Sequence, residues 1–297
     1  MKPTISVIIP VYNGEKTIQE TIQSVLNQTF SSIEIIVIND GSTDATLNII
    51  ESIDDPRLRV FSYPNAGLAA SRNRGLSHRV GQFVSFLDAD DLWTADKLYS
   101  QLQLLEENPD AAVVYSWTDY IDSDGRFLKA GRHTTVMGDV YQHLLIWNFL
   151  ENGSNPLIRY DAIRMVGNFD ETLKAAEDWD MWLRLAACYK FSVVPKTQIL
   201  YRLSSNSMSS NIIAQEIESL KVIERAFSSQ KALSLQDLKN KTFAYLYKYL
   251  TFKSLEKPMN LHKRWTSFKF LCKYIKYNPS AILQKLILIT LFKIFFT

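Results

Sequence analysis

Three times in its first ninety residues the chain passes from a short run of β-branched residues to a longer segment with helical spacing, a fourth such run follows, and few folds tolerate that order. "ISVIIPVY", residues 5–12, is apolar without interruption, as expected of a strand buried on both faces. In the segment that follows, Ile18, Ile22, Val25 and Leu26 recur at helical spacing on one face, with Asn13 placed to cap the helix. "IEIIVIND" is a second buried strand, and "STDATLNIIESI" a second helix opened by Ser42 or Thr43, with Asp44 near its positive end. "LRVFSY", "GLAASRNRGLSHR" and "QFVSFLD" complete the series. Strands alternating with helices predict a parallel sheet flanked by helices. In such sheets ligands sit beyond the carboxyl ends of the strands. Those ends carry Tyr12 and Asn13, then Asp40 to Ser42, then Asn65 to Gly67, then Asp88 to Asp91, all on one edge.

Beyond residue 110 the pattern loosens. "AAVVYSWTDYID" reads as a strand closed by the turn "DSDG", "VYQHLLIWNFL" as a helix, and "GSNPLIRY" as loop then strand. "EDWDMWLRLAAC" is helical, with Trp179, Trp182, Leu183 and Ala186 on one stripe, and "SVVP" and "QILYRL" read as two short strands. The polar run 204–211 is expected to be mobile, and helices fill the remainder. With 297 residues and 46% hydrophobic content the chain can bury a substantial core. Cys188 and Cys272 stand far apart and suggest neither a disulfide framework nor a zinc site. The N-terminus reads as a first strand and not as a signal peptide.

The acidic cluster carries the chemistry. Asp88, Asp90 and Asp91 fall within four residues at the end of a buried strand. Carboxylates that close need a compensating positive charge, or some of them protonate. Mg²⁺ and Mn²⁺ take oxygen ligands, often one or two carboxylates together with phosphate oxygens. In an extended segment Asp88 and Asp90 point to one side and could share an ion. The plainer alternative is a solvated loop in which Asp91 caps the next helix. Asp40 could accept hydrogen bonds from a base or ribose, or merely close an Asx-turn. Arg72 and Arg74 could pair with a diphosphate or lie on the surface. No GxGxxG and no GxxxxGK[ST] is present, which argues against a dinucleotide-binding dehydrogenase and a P-loop.

A second acidic group, Glu177, Asp178 and Asp180, opens a helix, where negative charge is favoured. It could be a capping device. Alternatively, a carboxylate beside Trp179 and Trp182 is shielded enough to act as a general base, and tryptophan faces can stack on sugars while also forming core.

Taken in order, "VIIPVYNGEKTIQETIQSVLNQTF", "EIIVINDGSTD", "NAGLAASRNRGL", "FVSFLDADDLW" and "EDWDMWLRLA" resemble the inverting family 2 glycosyltransferases of GT-A fold, over roughly residues 4–205. The resemblance implies a Rossmann-like, mostly parallel α/β sheet with a helical C-terminal extension. Residues 1–110 would be the nucleotide-sugar-binding half of the GT-A domain, 111–211 the acceptor-binding half, and 212–297 a separate helical region. It further implies a nucleotide-sugar donor, UDP-linked in the first instance, a divalent cofactor, Mn²⁺ or Mg²⁺, and a saccharide or lipid-linked acceptor in cell-surface polysaccharide synthesis. Carried over residue by residue, Pro10, Tyr12, Asp40, Asn65, Arg72, Asp88, Ala89 and Asp90 border the donor, and Asp88 and Asp90 the metal. Asp178 is the catalytic base, with Glu177 and Trp179 toward the acceptor. The segment "YRLSSNSMSS" resembles the family's flexible cover over the donor. A sugar-phosphate nucleotidyltransferase would show a Gly- and Arg-rich loop after the first strand, which "YNGEKT" lacks. A catalytically silent nucleotide-binding or scaffold protein would lack one of the acidic motifs, and both are present.

The charge is uneven. From Lys257 onward there are eight Lys/Arg and no Asp/Glu, although the whole chain carries only +2. "SAILQKLILITLFKIFFT" is apolar but interrupted by Lys285 and Lys293. Peripheral contact with a membrane surface is the expectation, with a packing helix, a dimer contact or a short span as alternatives. No nucleic-acid-binding module is recognisable. The expected location is cytoplasmic, with the cytoplasmic face of the inner membrane as the site of any membrane contact.

Overall fold

The structure is a computed structural model, which describes residues 2–203, 211–256, 261–283 and 285–296. The chain divides into two compact units. The first comprises residues 1–141 and 149–204, and the second residues 142–148 and 205–297.

The first unit is built on one nine-stranded sheet. β1 (Ile5–Val11) and β2 (Ile33–Asn39) are buried at every position, which is why both read as unbroken apolar runs. β3 (Leu58–Ser62) and β4 (Phe83–Phe86) flank them, giving the order β3-β2-β1-β4 with every pair parallel. Register places Val11 beside Asn39 and Asn39 beside Ser62, so the loops after these strands emerge on the same edge. Helices α1 (Ile18–Leu26), α2 (Thr46–Glu51) and α3 (Leu68–His78) connect them, and Ile18, Ile22 and Val25 of α1 are fully buried.

The remaining strands change direction. β5 (Leu92–Trp93) and helix α4 (Lys97–Glu107) lead to β6 (Ala111–Ile121) and its hairpin partner β7 (Phe127–Ala130). Helix α5 (Tyr141–Ile146) precedes β8 (Leu157–Arg159). β8 sits antiparallel between β4 and β6 and so joins the two halves of the sheet. Helices α6 (Tyr160–Val166) and α7 (Glu177–Cys188) follow. β9 (Lys190–Arg202) is one thirteen-residue strand, not two. It runs parallel to β6, and its register slips between Val194 and Thr197, where Pro195 interrupts the ladder. Lys97, the first residue of α4, is fully buried against the Trp93 ring, with Nζ donating to Ser85 Oγ at 3.0 Å and Gln101 Oε1 at 3.2 Å. Burial holds its amine well below the usual lysine range.

The second unit is helical. α8 (Ile212–Phe227), a 3-10 stretch at Gln230–Leu238, α9 (Lys239–Ser254), α10 (Leu261–Tyr277) and α11 (Lys285–Phe296) follow one another. Within it Thr242 of α9 donates to the Leu145 carbonyl, and Trp147 stacks on Tyr245 at 5.4 Å, so the 142–148 segment belongs with these helices. The polar run at 204–210, where a cover over the donor was expected, lies outside the described residues.

Candidate active site

The edge formed by the ends of β1 to β4 collects the expected groups. After β2 the chain turns at Gly41 (φ +77°), where a Cβ would come 3.0 Å from the Asn65 nitrogen. Asp40 is 4% exposed. One of its oxygens accepts from the Ala66 N–H at 3.0 Å and Arg74 Nη1 at 2.9 Å, and the other from the Gly67 N–H at 2.8 Å. The carboxylate therefore fixes the 65–67 loop at the start of α3 and leaves Asn65 exposed. Tyr12 is exposed at the end of β1, and Pro10 is buried within it. Asn13 does not cap α1. It adopts φ +52°, and its side-chain oxygen accepts from the Thr43 N–H at 2.8 Å, pinning the first loop to the second. Helix α2 starts later than Ser42 or Thr43, at Thr46, whose N–H donates to Asp44.

The Asp88–Asp91 segment is a tight turn, not an extended strand. The Asp91 N–H donates to the Asp88 carbonyl at 3.1 Å. Thr17, just before α1, and Thr21 within it donate to the Ala89 carbonyl, and Thr21 also to that of Asp91. Asp91 is fully buried and accepts from Ser154 Oγ and from the Arg202 N–H at 3.0 Å. It is neither solvated nor a helix cap. Arg202, 3% exposed on its side chain, donates through Nε to the Asp90 carbonyl at 2.8 Å, through Nη1 to that of Ser123 at 2.8 Å, and through Nη2 to Glu20 at 2.6 Å. The acidic turn is thus held from three sides, by α1, by the 154 loop and by the end of β9.

Arg72 departs most from expectation. The guanidinium is 1% exposed and spans two acidic motifs, with Nη2 2.8 Å from Asp88 Oδ1 and Nη1 2.8 Å from Glu177 Oε1. Phe86 and Phe169 lie 5.9 and 5.4 Å from it. Burial alone would discharge the group, but the charges of Asp88, Glu177 and Asp178 outweigh it and hold its pKa above the usual arginine value. Gly153 makes the arrangement possible, since a Cβ there would lie 2.3 Å from Arg72 Nη2. Arg72 is accordingly a buried tie between the two motifs, not a side chain open to a diphosphate.

Helix α7 brings the second motif to this tie. Ala176, in the left-handed region at φ +59°, turns the chain into the helix, at a cost of about 1–2 kcal/mol for a residue with a side chain. Glu177 and Trp179 are 5% and 6% exposed, so neither is a surface group that an acceptor sugar could stack on in this structure. The helix is buried on most sides, and a stripe of tryptophans therefore says little about an open face. Asp180 pairs with Arg184 at 2.9 Å and anchors the helix. Asp178 is half-buried, and its carboxyl is pushed up to about 7, by burial first and then by the Glu177 charge, against the opposing pull of Arg72. Asp88 is among the charges raising it, so the structure brings the two motifs within electrostatic reach.

Asp90 is pushed up to about 6, by burial and by Asp88. Half-buried, with the Asp88 charge beside it, it is a carboxylate poised to accept a cation. Among the described residues no three His, Cys, Asp or Glu side chains converge on one point. The donor set of Asp88 and Asp90 suits an ion that completes its coordination with phosphate oxygens and water.

Comparison with known proteins decides the family. The model of the "glycosyltransferase like family 2" matches residues 6–254. The chain belongs to this family. The chondroitin synthase of Pasteurella multocida is 29% identical to the family 2 chain over 243 residues, 77% of this chain and 24% of that protein. Staphylococcus aureus TarS in complex with UDP-GlcNAc matches 98% of this chain and 79% of its own at TM-score 0.59 and 20% identity. The mannosyltransferase PcManGT of Pyrobaculum calidifontis, in complex with GDP-Man and Mn²⁺, matches 99% and 84% at TM-score 0.63 and 17% identity. These likenesses establish the GT-A fold for the family 2 chain. The first curated relatives it matches are longer, and it spans between 27% and 61% of their length.

Proposed function

We propose that this family 2 chain transfers a sugar, with inversion, from a nucleoside-diphosphate sugar to a saccharide or lipid-linked acceptor during assembly of a surface polysaccharide. The observation that carries the proposal is the position of Asp178. It is a carboxylate pushed up to about 7, tied through Glu177 and Arg72 to Asp88 at the carboxyl edge of a parallel sheet. A base with that pKa is half ionised at neutral pH and accepts a proton readily. Asp178 takes the proton of the acceptor hydroxyl as its oxygen attacks the anomeric carbon from the face opposite the leaving diphosphate, and one displacement inverts the configuration.

Asp88 and Asp90 would hold the divalent ion, Mn²⁺ or Mg²⁺, which when bound supplies positive charge against the departing diphosphate. Tyr12, Pro10 and Asn65 border the nucleoside end, and Asp40 serves it by holding the 65–67 backbone. Ala89 contributes its small side chain to the turn between the two metal-facing acids. A UDP-sugar is the first candidate, supported by the TarS complex, while the PcManGT complex keeps GDP-sugars in view. The chondroitin synthase likeness supports a polysaccharide product.

The test is a thermal-shift panel of nucleotide sugars with and without Mn²⁺, on the wild type and on Asp90→Ala. Stabilisation by one nucleotide class, present only with metal and lost in the variant, is the expected result. Stabilisation that persists in chelator, or none by any nucleotide sugar, rejects the assignment.

A further inference from the structure

Helix α11 is apolar on opposite sides. Ile287, Thr290 and Ile294 are buried at helical spacing and define the face turned into its own unit. The opposite face carries Leu288, Ile289 and Phe292, 68%, 44% and 58% exposed. In the turn just before the helix, Ile282 and Leu283 are 58% and 89% exposed. A helix apolar all round belongs in an interior or in lipid, and a contiguous apolar patch on a water-facing surface marks an interaction site.

The surrounding charge says what covers it. From Lys257 onward every charged side chain is basic. Lys269, Lys276 and Lys293 are exposed, and Trp265 of α10 is 62% exposed. Trp265, Lys269 and Lys276 fall on one face of α10 by helical spacing, and Lys293 adjoins Phe292 in α11 itself; lysine and tryptophan exposed in the same segment as an apolar stripe are the chemistry of the interface between acyl chains and anionic headgroups. We infer that α11 lies flat on an anionic lipid surface, with Leu288, Ile289 and Phe292 at the acyl boundary and the lysines at headgroup level.

Two other occupants fit less well. The twelve residues of α11 reach about 18 Å, short of the roughly 30 Å hydrocarbon core, and among the described residues no helix is long and apolar enough to cross a membrane. A second copy would bring two wholly basic segments together, and like-charge juxtaposition across an interface disfavours it. The inference does not depend on the transfer reaction, and neither does its test.

The full chain is sedimented with vesicles of phosphatidylcholine alone and of phosphatidylcholine with about one third phosphatidylglycerol, at low and high salt. Partition onto the anionic vesicles should exceed that onto neutral ones by about tenfold or more, and should fall as salt screens the charges. The double substitution Leu288→Glu with Phe292→Glu should reduce it at least tenfold while leaving the melting temperature unchanged, because both side chains are exposed. A wild type that stays in the supernatant with both vesicles overturns the inference. So does a double variant that partitions as well as wild type, or a solution dimer that the double variant converts to monomer, which would show a second copy to be the cover.

Discussion

Arg72 Nη1 stands 2.8 Å from Glu177 Oε1, although the two residues are 105 positions apart in sequence. The other arm of the same guanidinium reaches Asp88 at the same distance. One buried cation thus sets the spacing between the acids assigned to the donor and the helix that carries Asp178.

Replacing Arg72 by methionine leaves Glu177 and Asp88 without their counter-charge in a dry interior. Breaking a buried ion pair by removing one partner costs about 3–5 kcal/mol. Arg72→Met should lower the melting temperature by about 10 °C. Arg72→Lys keeps the charge but not the fork, so it should lie between Arg72→Met and wild type. A methionine variant melting with the wild type would show the tie to be dispensable.

Asp178→Asn separates chemistry from stability. Transfer should fall by about 10²–10⁴-fold while donor binding is kept. In wild type, activity should rise with pH through about 7 as this carboxyl ionises. Stability runs the other way. A carboxyl raised from 3.8 to about 7 in the folded state favours the fold at low pH, and this contribution is lost as pH rises through the folded value. The asparagine variant should therefore gain little in melting temperature near pH 5 and several degrees at pH 8. An equal gain at both pH values would mean that the ionised form carries no penalty.

Arg202 acts through the acidic turn. It donates to the Asp90 carbonyl, and its own N–H donates to the Asp91 carboxylate. Arg202→Ala removes the side-chain contacts and keeps the backbone one. Metal-dependent donor affinity, read by titration calorimetry, should weaken about tenfold or more, with partial recovery in Arg202→Lys. Unchanged donor affinity together with a lowered melting temperature would leave Arg202 a purely structural residue.

Lys97 sets a second pH dependence. Its amine is depressed in the fold relative to 10.5 in the open chain, so the unfolded state binds the extra proton and the fold is penalised while pH stays below that value. Stability should recover toward pH 10 by as much as about 1.4 kcal/mol per unit, and in Lys97→Met that slope should vanish. Denaturant midpoints at pH 8 and pH 9.5 decide the point.

Continuous apolar runs made β1 and β2 legible because both faces of the central sheet are covered, and the amphipathic spacing of α1 follows from its position against them. The shared edge of strand ends followed from strand direction alone. What sequence could not show was which polar groups turn inward. Arg72 reads as a diphosphate partner or a surface arginine because its actual partners, Asp88 and Glu177, come from other elements, and Trp179 reads equally as a sugar-stacking face or as core because a helix buried on most sides presents no distinguishing stripe. Asp91 looks like a cap until Ser154 and Arg202 converge on it. Arg202 did leave one signal, a lone cation inside the apolar strand "QILYRL".

The missing Cβ at Gly153 has a bearing on any hybrid enzyme. Grafting the 149–190 region from a relative would preserve the Arg72 tie only if the graft brought a glycine at 153 and an acid at 177. Otherwise the host guanidinium would meet a methyl group on one side and no anion on the other. Exchange of this region is therefore gated by two positions that meet at one guanidinium.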